Sequence, residues 1–539
     1  MPRCLPVITV LAAVLFATIA AASPIPTIAD LLVRDPDHDQ ALRTLGVARS
    51  EYISAIYAFG GNAPLWTRSD RVQELLDALA DAPRHGLNPD DYHYARLRHL
   101  REDSGPVPAT LDILLTDALA RYAYHLRFGK ANPEQLDPHW NYSRALQTQD
   151  PARWMYDAIV GQGIAAALDG LRPHTPTYTA LQGALAQYRA IADAGGWRPV
   201  PAGESLKPGM RDTRVTALRE RLAVTAAGVS AVTPGSTLFD AELERAVRDF
   251  QRRHGLTEDG IVGKRTLAAL NVTAAARVAT LRVNLERIRW IFRDIEDELL
   301  VVNIAAFQAA YLRRGEIRWR ARAVVGRPYR QTPIFKARMT HVITNPTWTV
   351  PPTILRKDVL PAMARDPAYL QSRHLRVYDR VGKAVDPGTI DWQRTLRDGF
   401  PYVLRQDPGP HNALGRIKFM FPNPHLVYLH DTPSRELFAR AERTFSSGCI
   451  RVERPFELAA LLLRDDPAWQ PEKIAGETRP RRFNLDHAVT VMLLYLTAFA
   501  EVDGEVQFRR DVYARDPAVL RALDGPFTFS PPRGYRATD

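Results

Sequence analysis

Cysteine is almost missing from this chain, whose 539 residues contain only Cys4 and Cys449. A disulfide-rich scaffold is therefore excluded. Histidine, cysteine and carboxylate residues also lack the spacing of metal ligands, so we expect no metal and no cofactor. Because Cys4 lies in a segment that we expect to be removed, Cys449 is left as a single free thiol. Such a thiol is either an idle buried cysteine or a nucleophile.

Apolar runs long enough to span a membrane are scarce as well. The run from Leu5 to Ala22 follows a basic start and ends in small residues, which predicts a signal peptide over residues 1–22 and a mature chain from about Ser23. An uncleaved anchor is the alternative. No lipobox precedes Cys4. The run from Ala488 to Ala500 is too short for a span and predicts a buried hairpin strand. We expect a periplasmic protein without a stable membrane span.

Clusters of positive charge are absent, although the net charge is +11 and the pI is near 9.6. The arginines are scattered, which argues against a nucleic-acid partner. The charge favours an acidic surface such as cell-wall carboxylates or anionic lipid. The alternative interpretation is an arginine-rich proteome.

Hydrophobic periodicity divides the chain into several domains and predicts a multidomain α+β protein. Helix spacing dominates the first part, a glycine- and proline-rich stretch ends it, and short β-prone runs begin near Glu298. Within the β region one stretch is helical and rich in proline, as in a capping lid. We predict a helical scaffold at 23–200, a small three-helix module at 205–272, a return helix at 273–297, a mostly-β domain at 298–455 with a capping insertion at 351–410, and a C-terminal segment with a β-hairpin at 456–539.

The module carries a specific motif. Asp240 is placed to cap a helix whose apolar face is Leu243, Val247 and Phe250, and Gly255 is placed to end it. The segment 250–263 then reads FQRRHGLTEDGIVG. This segment resembles the signature of the small helical peptidoglycan-binding module. The resemblance implies that residues 205–272 bind peptidoglycan glycan.

A histidine and the free cysteine form the candidate catalytic pair. The alternation from Val427 to His430 predicts a strand with Tyr428 and His430 on one face. Cys449 follows His430 by 19 residues, which leaves room for a helical turn that returns the chain. A thiol needs a neighbouring base or a positive field to act as a nucleophile, and histidine provides both. Amides around Cys449, after Gly448, are candidates for an oxyanion site.

The segment Ser446-Ser447-Gly448-Cys449-Ile450-Arg451 together with His430 resembles the active-site signature of the L,D-transpeptidases. The broader family usually has histidine where this chain has Ser447. That departure is similar to a large periplasmic subgroup with a helical scaffold, an inserted peptidoglycan-binding module and a capping insertion. The segments His85–Pro89, Asn345–Pro352 and Tyr428–Pro433 also resemble this subgroup, so the likeness spans nearly the whole mature chain.

The resemblance implies roles for individual residues. Cys449 would be the nucleophile and His430 the acid and base, with the imidazole oriented by the backbone carbonyl of Asp431. Backbone groups of Ser447 and Gly448 would support the oxyanion. The substrate-binding candidates are Tyr428, Ser446, Arg451 and Trp348. Three structural alternatives stay open: an ion pair for Arg451, a core position for Trp348 and a structural role for Ser447.

The same resemblance implies the reaction. Cys449 would attack the third residue of a tetrapeptide stem, release D-alanine and form a thioester, which the amine of a neighbouring stem resolves into a 3-3 cross-link. Carbapenems would acylate Cys449. The partners would be peptidoglycan stem peptides and glycan, with other cell-wall synthesis enzymes left open. The alternatives are an L,D-carboxypeptidase, a cysteine endopeptidase and a non-catalytic cell-wall scaffold.

Overall fold

The computed structural model describes residues 27–32, 40, 42–44, 46–47, 50–101, 107–142, 150–225, 235–292, 296–366 and 368–527. The predicted signal segment at 1–22 lies outside the described residues. Within the described ranges, no helix combines the length and the apolar character that crossing a membrane requires.

The first part of the chain is helical, as predicted. Val72, Leu75, Leu76 and Leu79 are all buried on one helix. Their spacing matches the helical repeat, so they form one face against the scaffold core. The described α-helices of this part are Ile28–Leu32, Ser50–Ala58, Ser69–Ala80, Tyr94–Arg101, Ala109–Phe128, Pro133–Leu136, Pro151–Asp157, Ile164–Asp169 and Pro176–Asp193.

The small module folds around a core of its own. It consists of the helices Arg214–Ala223, Ala241–Arg253 and Lys264–Leu270. The Asp240 carboxylate accepts a hydrogen bond from the amide of Leu243 at 2.9 Å, which confirms the predicted cap. Gly255 ends the helix with φ at 63°. The predicted apolar face is buried in a cluster separate from that of the scaffold.

The helix Ala274–Ile291 returns from the module to the scaffold, where it packs beside Pro176–Asp193. The His85–Pro89 segment helps to hold it. The carbonyl of His85 accepts a hydrogen bond from Arg289 at 2.9 Å, and the carbonyl of Gly86 accepts one from Arg282 at 3.0 Å. The module is therefore inserted into a helical unit that closes again after it.

A buried ion pair lies on the return helix. Glu286 and Arg289 are both fully buried, and the carboxylate lies 2.5 Å from the guanidinium. Glu286 also accepts hydrogen bonds from the amide of Ala131 at 2.7 Å and from the indole of Trp290 at 3.1 Å. The carboxylate thus ties two turns of the return helix to the scaffold.

Replacing Glu286 with leucine is expected to lower the free energy of unfolding by about 3–5 kcal/mol, because it leaves the buried Arg289 without its counter-charge. Urea unfolding measures the change. The matched control is Asp157→Ala, which breaks an exposed scaffold pair with Arg153 and is expected to cost less than about 1 kcal/mol. Equal losses in the two variants would contradict the prediction.

The β region begins where the sequence predicts it. Its strands are β1 Glu298–Asn303, β2 Gln308–Arg313, β3 Glu316–Gly326, β4 Phe335–Thr344, β5 Trp348–Thr349, β6 Arg376–Tyr378, β7 Ala384–Val385, β8 Val403–Gln406, β9 Ile417–Met420, β10 Leu429–His430, β11 Thr444–Ser446, β12 Ile450–Val452, β13 Arg481–Leu494, β14 Ala498–Ala500 and β15 Val506–Phe508.

Among the described residues, nine strands form the main sheet in the order β11-β3-β12-β10-β9-β4-β13-β1-β2. β2 also pairs with β3, so the sheet closes on itself. Closure pairs the strands that would otherwise be edges and encloses an apolar core. The short strands β10 and β12, which carry the candidate site, lie side by side within this sheet.

The C-terminal segment differs from its prediction. The hairpin exists, but it consists of β14 and β15 around residues 502–505, and the apolar run from Ala488 is divided between β13 and β14. β13 lies inside the main sheet between β4 and β1. The main sheet therefore extends past the predicted domain boundary at residue 455. Sequence pattern identifies a buried strand but not the partners it pairs with.

The insertion at 351–410 forms a second sheet with β5, which immediately precedes it, in the order β5-β8-β6-β7. Val350, Val377 and Leu404 belong to a hydrophobic cluster that is distinct from the main core. The remaining described α-helices after β5 are Pro352–Ile354, Leu360–Met363, Tyr369–Ser372, Trp392–Asp398, Pro455–Leu462, Pro471–Gly476 and Asp516–Asp524, with a 3-10 helix at Arg435–Ala439 where a helical turn is predicted.

Candidate active site

Three neighbouring strands bring the candidate residues onto one face of the main sheet. His430 on β10 pairs with Lys418 on β9 and with Arg451 on β12. Directly paired residues of adjacent strands point to the same face. The imidazole is therefore flanked by one cation on each side. Leu429 and Ile450 point to the opposite face, where both are fully buried.

Cys449 immediately precedes β12, and Tyr428 immediately precedes β10. The Cys449 thiol donates a long hydrogen bond to the carbonyl of Leu426 at 3.8 Å. Burial raises the pKa of the Cys449 thiol, while the amide and phenol of the neighbouring Tyr428 and the positive charges of Lys418 and Arg451 act in the opposite direction. The half-buried thiol is thus held neutral next to groups that would stabilise its anion.

Tyr428 also lies between the other members of the site. Its ring centroid is 5.6 Å from that of His430, and the Lys418 ammonium is 4.0 Å from the Tyr428 centroid. Burial lowers the pKa of Lys418, and a thiolate at Cys449 acts in the opposite direction. An ammonium over an aromatic face is attracted to the ring. The tyrosine therefore positions a cation beside the thiol.

The imidazole of His430 is buried and oriented by the backbone. Nδ1 lies 2.5 Å from the carbonyl oxygen of Asp431. A carbonyl only accepts, so Nδ1 carries the proton and Nε2 is left with its lone pair. Burial lowers the pKa of His430 to about 3, the charge of Arg451 adds to the shift, and the Asp431 carbonyl opposes it. His430 is therefore neutral at pH 7.

The side chain of Asp431 fixes the carbonyl that orients the imidazole. Its carboxylate accepts a hydrogen bond from the amide of Arg416 at 2.9 Å and lies 3.2 Å from the guanidinium of Arg435. Gly415 passes so close that a Cβ there would lie 2.6 Å from the Asp431 Cβ, and its φ is 60°. Glycine is required at this turn because any side chain would displace Asp431.

The loop before Cys449 is held by its own hydroxyl groups. Ser446 is buried, and its hydroxyl donates to the carbonyl of Cys449 at 2.5 Å and accepts from the amide of Gly448 at 3.1 Å. Gly448 has a φ of 120°, which residues with a side chain rarely adopt. Its carbonyl accepts a hydrogen bond from the buried Thr332 at 2.9 Å. Ser446 therefore stabilises the loop through these hydrogen bonds. Its role in substrate binding stays a prediction.

The C-terminal segment supports the same loop from behind. The Tyr513 hydroxyl donates to the carbonyl of Gly326 at 2.6 Å and accepts from the amide of Thr332 at 3.2 Å. The amide of Tyr513 donates to the hydroxyl of Tyr495 at 2.9 Å. A chain of buried hydrogen bonds therefore runs from the segment after β13 to Gly448.

The capping insertion is tied to the loop through Arg330. Its guanidinium pairs with Asp358 of the insertion and donates to the Ser447 hydroxyl at 3.1 Å. Asp358 lies in the short π-helix Leu355–Val359 at the start of the insertion. The insertion therefore reaches the residue two positions before the candidate nucleophile.

Two of the predicted substrate residues have different surroundings. No carboxylate forms an ion pair with Arg451 among the described residues, so the structural pair that sequence left open is not found there. Trp348 lies on β5 and packs partly buried against the hydrophobic cluster of the insertion. These contacts agree with the alternative that Trp348 occupies a core position.

Lys418 is the candidate that sequence analysis missed. It lies in Ile417-Lys418-Phe419-Met420, where Ile417 and Phe419 are fully buried. The alternation could have predicted a strand with Lys418 on the open face. Nothing in the sequence, however, indicates that this strand pairs with β10. The link from Tyr513 through Thr332 to Gly448 carries no local signal, because these bonds join residues more than 100 positions apart in the chain.

No three metal-ligating side chains cluster in the described ranges.

Buried neutral histidines predict a loss of stability in acid. Burial lowers the pKa of His85 and of His430 to about 3, and it also lowers the pKa of His125 and His254. Below pH 6.5 the unfolded chain binds protons that the folded chain does not. Stability is therefore full above pH 6.5 and falls as the pH drops towards 3, by about 1.4 kcal/mol per pH unit for each group.

Urea unfolding at pH 7, 6 and 5 tests this dependence. The variant His85→Gln removes one of the four groups, so its unfolding free energy is expected to fall less steeply than that of the wild type by about 1.4 kcal/mol per pH unit. Identical slopes in the two proteins would contradict the assignment of His85.

The closed β-sheet thus carries a buried histidine and a half-buried free thiol on one face. Residues 297–469 match the model of the L,D-transpeptidase catalytic domain. Residues 51–185 match the scaffold domain, and residues 211–270 match a family described as "Putative peptidoglycan binding domain". The chain thus contains an L,D-transpeptidase catalytic domain together with a scaffold and a peptidoglycan-binding domain, which confirms the resemblance and the α+β organisation drawn from its sequence.

Two curated proteins are similar to this chain. A "Putative L,D-transpeptidase" from Haemophilus influenzae is 34% identical over 238 residues, which cover 44% of this chain and 48% of that protein. The "N-acetylmuramoyl-L-alanine amidase CwlM" from Mycobacterium tuberculosis is 43% identical over 77 residues, which cover 13% of this chain and 18% of that protein. The chain therefore spans about half or less of the length of these relatives.

Two solved structures are similar over about half of the chain. The L,D-transpeptidase of Xylanimonas cellulosilytica (residues 123–326) has 13% identity and a TM-score of 0.19, covering 55% of this chain and 100% of that one. The L,D-transpeptidase of Stackebrandtia nassauensis has 13% identity and a TM-score of 0.23, covering 55% of this chain and 97% of that one.

Proposed function

We propose that this protein is an L,D-transpeptidase that forms 3-3 cross-links in peptidoglycan through a thioester on Cys449. One observation carries the proposal. Inside a matched catalytic domain, the only cysteine among the described residues lies on one sheet face with a histidine whose Nδ1 proton is held by the Asp431 carbonyl. This orientation leaves Nε2 of His430 as a proton acceptor.

The protonation states support general-base catalysis. The pKa of Cys449 is raised and the pKa of His430 is lowered to about 3, both chiefly by burial. Both directions favour a neutral thiol and a neutral imidazole in the resting enzyme. The proton therefore moves to His430 as the sulfur attacks, rather than beforehand. Lys418 and Arg451 then stabilise the negative charge that develops near the sulfur.

The reaction proceeds in two halves. The Cys449 sulfur attacks the carbonyl of the third residue of the donor tetrapeptide, a carbon–sulfur bond forms, and the amide bond to D-alanine breaks. D-alanine leaves with the proton that His430 took from the thiol. In the second half an amine of a neighbouring stem loses a proton to His430 and attacks the thioester. The new amide releases the sulfur, which recovers that proton.

The backbone around Cys449 supplies the oxyanion donor. The amide of Gly448 already donates to Ser446, and the amide of Ile450 donates to the carbonyl of Tyr428 at 3.1 Å. In the described ranges the amide of Cys449 itself has no acceptor. We assign the oxyanion to this amide. Ser446, Ser447 and Gly448 hold the loop in the conformation that exposes the Cys449 amide to the substrate.

The cations of the site provide substrate recognition. Arg451 and Lys418 have no carboxylate partner in the part of the chain that the structure describes. Burial lowers the pKa of Arg451, and the nearby Arg327 adds to the shift. Both cations are half-buried, so they are partly desolvated, and an anionic ligand bound between them would be stabilised by their charge. We assign to Arg451 and Lys418 the carboxylates of the donor stem, with Tyr428 as a wall of the pocket.

The setting of the enzyme is part of the proposal. The peptidoglycan-binding module holds the protein on its polymeric substrate, and the capping insertion excludes water from the acyl-enzyme so that an amine reacts in preference to water. Export by the segment 1–22 places the protein in the periplasm, where it acts in cell-wall synthesis, and a carbapenem acylates Cys449 as the donor does.

Purified protein incubated with disaccharide tetrapeptide tests the proposal. Intact mass spectrometry detects the acyl adduct, and chromatography separates the products. An adduct with release of D-alanine and a cross-linked dimer supports the transpeptidase. Tripeptide without dimer would show an L,D-carboxypeptidase instead. No adduct and no change in the peptide would refute the enzymatic assignment.

A further inference from the structure

A cavity of about 430 Å³ lies inside the scaffold domain. All of its lining residues fall between positions 74 and 182, within the part of the chain that matches the scaffold family. The lining includes His85, the first residue of the segment His85–Pro89, whose side chain the proposed reaction does not use. The volume is in the range of pockets that hold small ligands. The cavity is therefore a candidate binding site outside the active site.

Three buried polar side chains line this cavity. His85, Tyr122 and Gln182 are 7%, 2% and 4% exposed. Each of them has one polar atom with accessible surface and no hydrogen-bond partner among the described residues, namely His85 Nε2, Tyr122 Oη and Gln182 Oε1. Buried polar groups in folded proteins are nearly always paired. Three open polar atoms on one cavity wall therefore indicate a ligand that pairs with them.

The hydrogen bonds behind His85 fix the character of these atoms. Arg289 donates to the hydroxyl of Tyr178 at 3.0 Å, and this hydroxyl lies 2.9 Å from Nδ1 of His85. The amide nitrogen of Gln182 lies 3.2 Å from the same Nδ1. Both neighbours donate, so Nδ1 accepts and Nε2 carries the proton. The wall thus offers a donor at His85, an acceptor at Gln182 and a hydroxyl at Tyr122 that does both.

The rest of the wall carries more negative than positive charge. Four carboxylates and two guanidinium groups line it, at Glu74, Asp77, Asp81, Asp169, Arg84 and Arg172. Most of these groups already have a partner. The carboxylate of Asp81, however, accepts no hydrogen bond in the described part of the chain, and Arg84 is 4.0 Å away. Asp81 therefore adds an open acceptor, and the excess of carboxylates disfavours an anionic ligand.

A neutral sugar fits this set of groups. Sugar hydroxyls both donate and accept, so one ring can pair with the donor at His85, with the hydroxyl of Tyr122 and with the acceptors at Gln182 and Asp81. An amine would pair with the acceptors but leave the His85 donor without a partner. A stem peptide carries carboxylates, which the acidic wall repels.

We propose that this cavity binds a neutral sugar residue, and that the sugar belongs to the glycan strand of peptidoglycan. Sugar binding follows from the cavity alone, whereas the glycan strand as its source rests on the proposed function. The scaffold thereby gives the enzyme a second contact with the glycan, beside the module at 205–272.

Hydrogen–deuterium exchange with mass spectrometry tests the site in the full chain. Amides at 74–85 and 165–182 report on the cavity, and amides at 211–270 report separately on the peptidoglycan-binding module. The probes are a tetramer of N-acetylglucosamine, a tetramer of glucose and a free tetrapeptide stem. No probe needs to react, so the outcome is independent of whether the proposed cross-linking reaction occurs.

Two variants alter the cavity, and each has a matched control. Tyr122→Phe removes a hydroxyl that has no partner among the described residues, and Tyr156→Phe removes the hydroxyl of a scaffold tyrosine outside the cavity. Ala165→Phe adds a ring to the cavity wall from the helix Ile164–Asp169. Ala166→Phe adds the same ring at the next position, which is exposed and does not line the cavity. Melting temperatures establish that all four proteins are folded.

The N-acetylglucosamine tetramer is expected to slow exchange in both scaffold segments of the wild type. In Tyr122→Phe the sugar concentration for half-maximal protection is expected to rise about fivefold through the lost hydrogen bond. In Ala165→Phe it is expected to rise about tenfold or more, because the ring occupies space that the sugar needs. Both control variants are expected to behave as the wild type.

The other outcomes overturn the inference or one part of it. Protection of the module alone would mean that the cavity holds only water. Scaffold protection that is unchanged in both cavity variants would place the sugar elsewhere on the scaffold. Protection by the tetrapeptide stem and not by either sugar would show a peptide site. Equal protection by the glucose tetramer would support a sugar site but contradict the glycan strand as its specific source.

Discussion

Cys449→Ala is expected to form no acyl adduct and to release no D-alanine, a loss of at least about 10⁴-fold. The reason is that the described chain contains no other thiol. A neighbouring hydroxyl cannot replace it, since Ser446 is buried and hydrogen-bonded within the loop. Intact mass after incubation with disaccharide tetrapeptide measures the effect.

Binding of the Cys449→Ala variant to sacculi distinguishes a loss of catalytic chemistry from a loss of the fold. The peptidoglycan-binding module has its own hydrophobic cluster, so it is expected to bind equally well in the variant and in the wild type. Cys449→Ser keeps the shape of the side chain and is likewise expected to form no thioester. D-alanine release by either variant at the wild-type rate would exclude Cys449 as the nucleophile.

His430→Gln is expected to slow acylation about 10²- to 10⁴-fold at pH 7, because the thiol loses its proton acceptor. The pKa of Cys449 is raised by burial, so few molecules carry a thiolate without help. Raising the pH ionises the thiol without His430, and the variant is therefore expected to recover rate steeply in alkaline solution. The pH profile of acylation measures this directly.

The matched control is His174→Gln, which makes the same substitution at an exposed scaffold position. Its acylation rate is expected to equal that of the wild type. If His430 had only a structural role, His430→Gln would acylate more slowly than the wild type by the same factor at every pH. Such a parallel pH profile would refute the assignment of His430 as general base.

Features that depend on neighbouring residues were predictable from the sequence. The cap at Asp240, the left-handed Gly255 and the buried face of the module all involve contacts within a few positions. The orientation of His430 belongs to the same class, because its partner is the carbonyl of Asp431, one residue further along. Local sequence fixes such geometry through backbone sterics and short-range hydrogen bonds.

The division of the C-terminal run was not predictable in the same way. The second half of β13 is apolar and buried, and β14 continues the apolar run with one buried and two half-buried residues. Only the pairing of β13 with β1 and β4, which lie more than 130 positions earlier, places it inside the main sheet. Hydrophobic pattern records burial but not the identity of the partner strand.

The sequence by itself determined the domain types and singled out Cys449 and His430 as the candidate nucleophile and base, because residue chemistry and short motifs carry that information. The tertiary structure alone decided what surrounds these two residues. It brought Lys418 beside His430 and linked Thr332 and Tyr513 to Gly448. These relations join distant segments, and such contacts depend on strand register and on the packing of one domain against another, which no local pattern encodes.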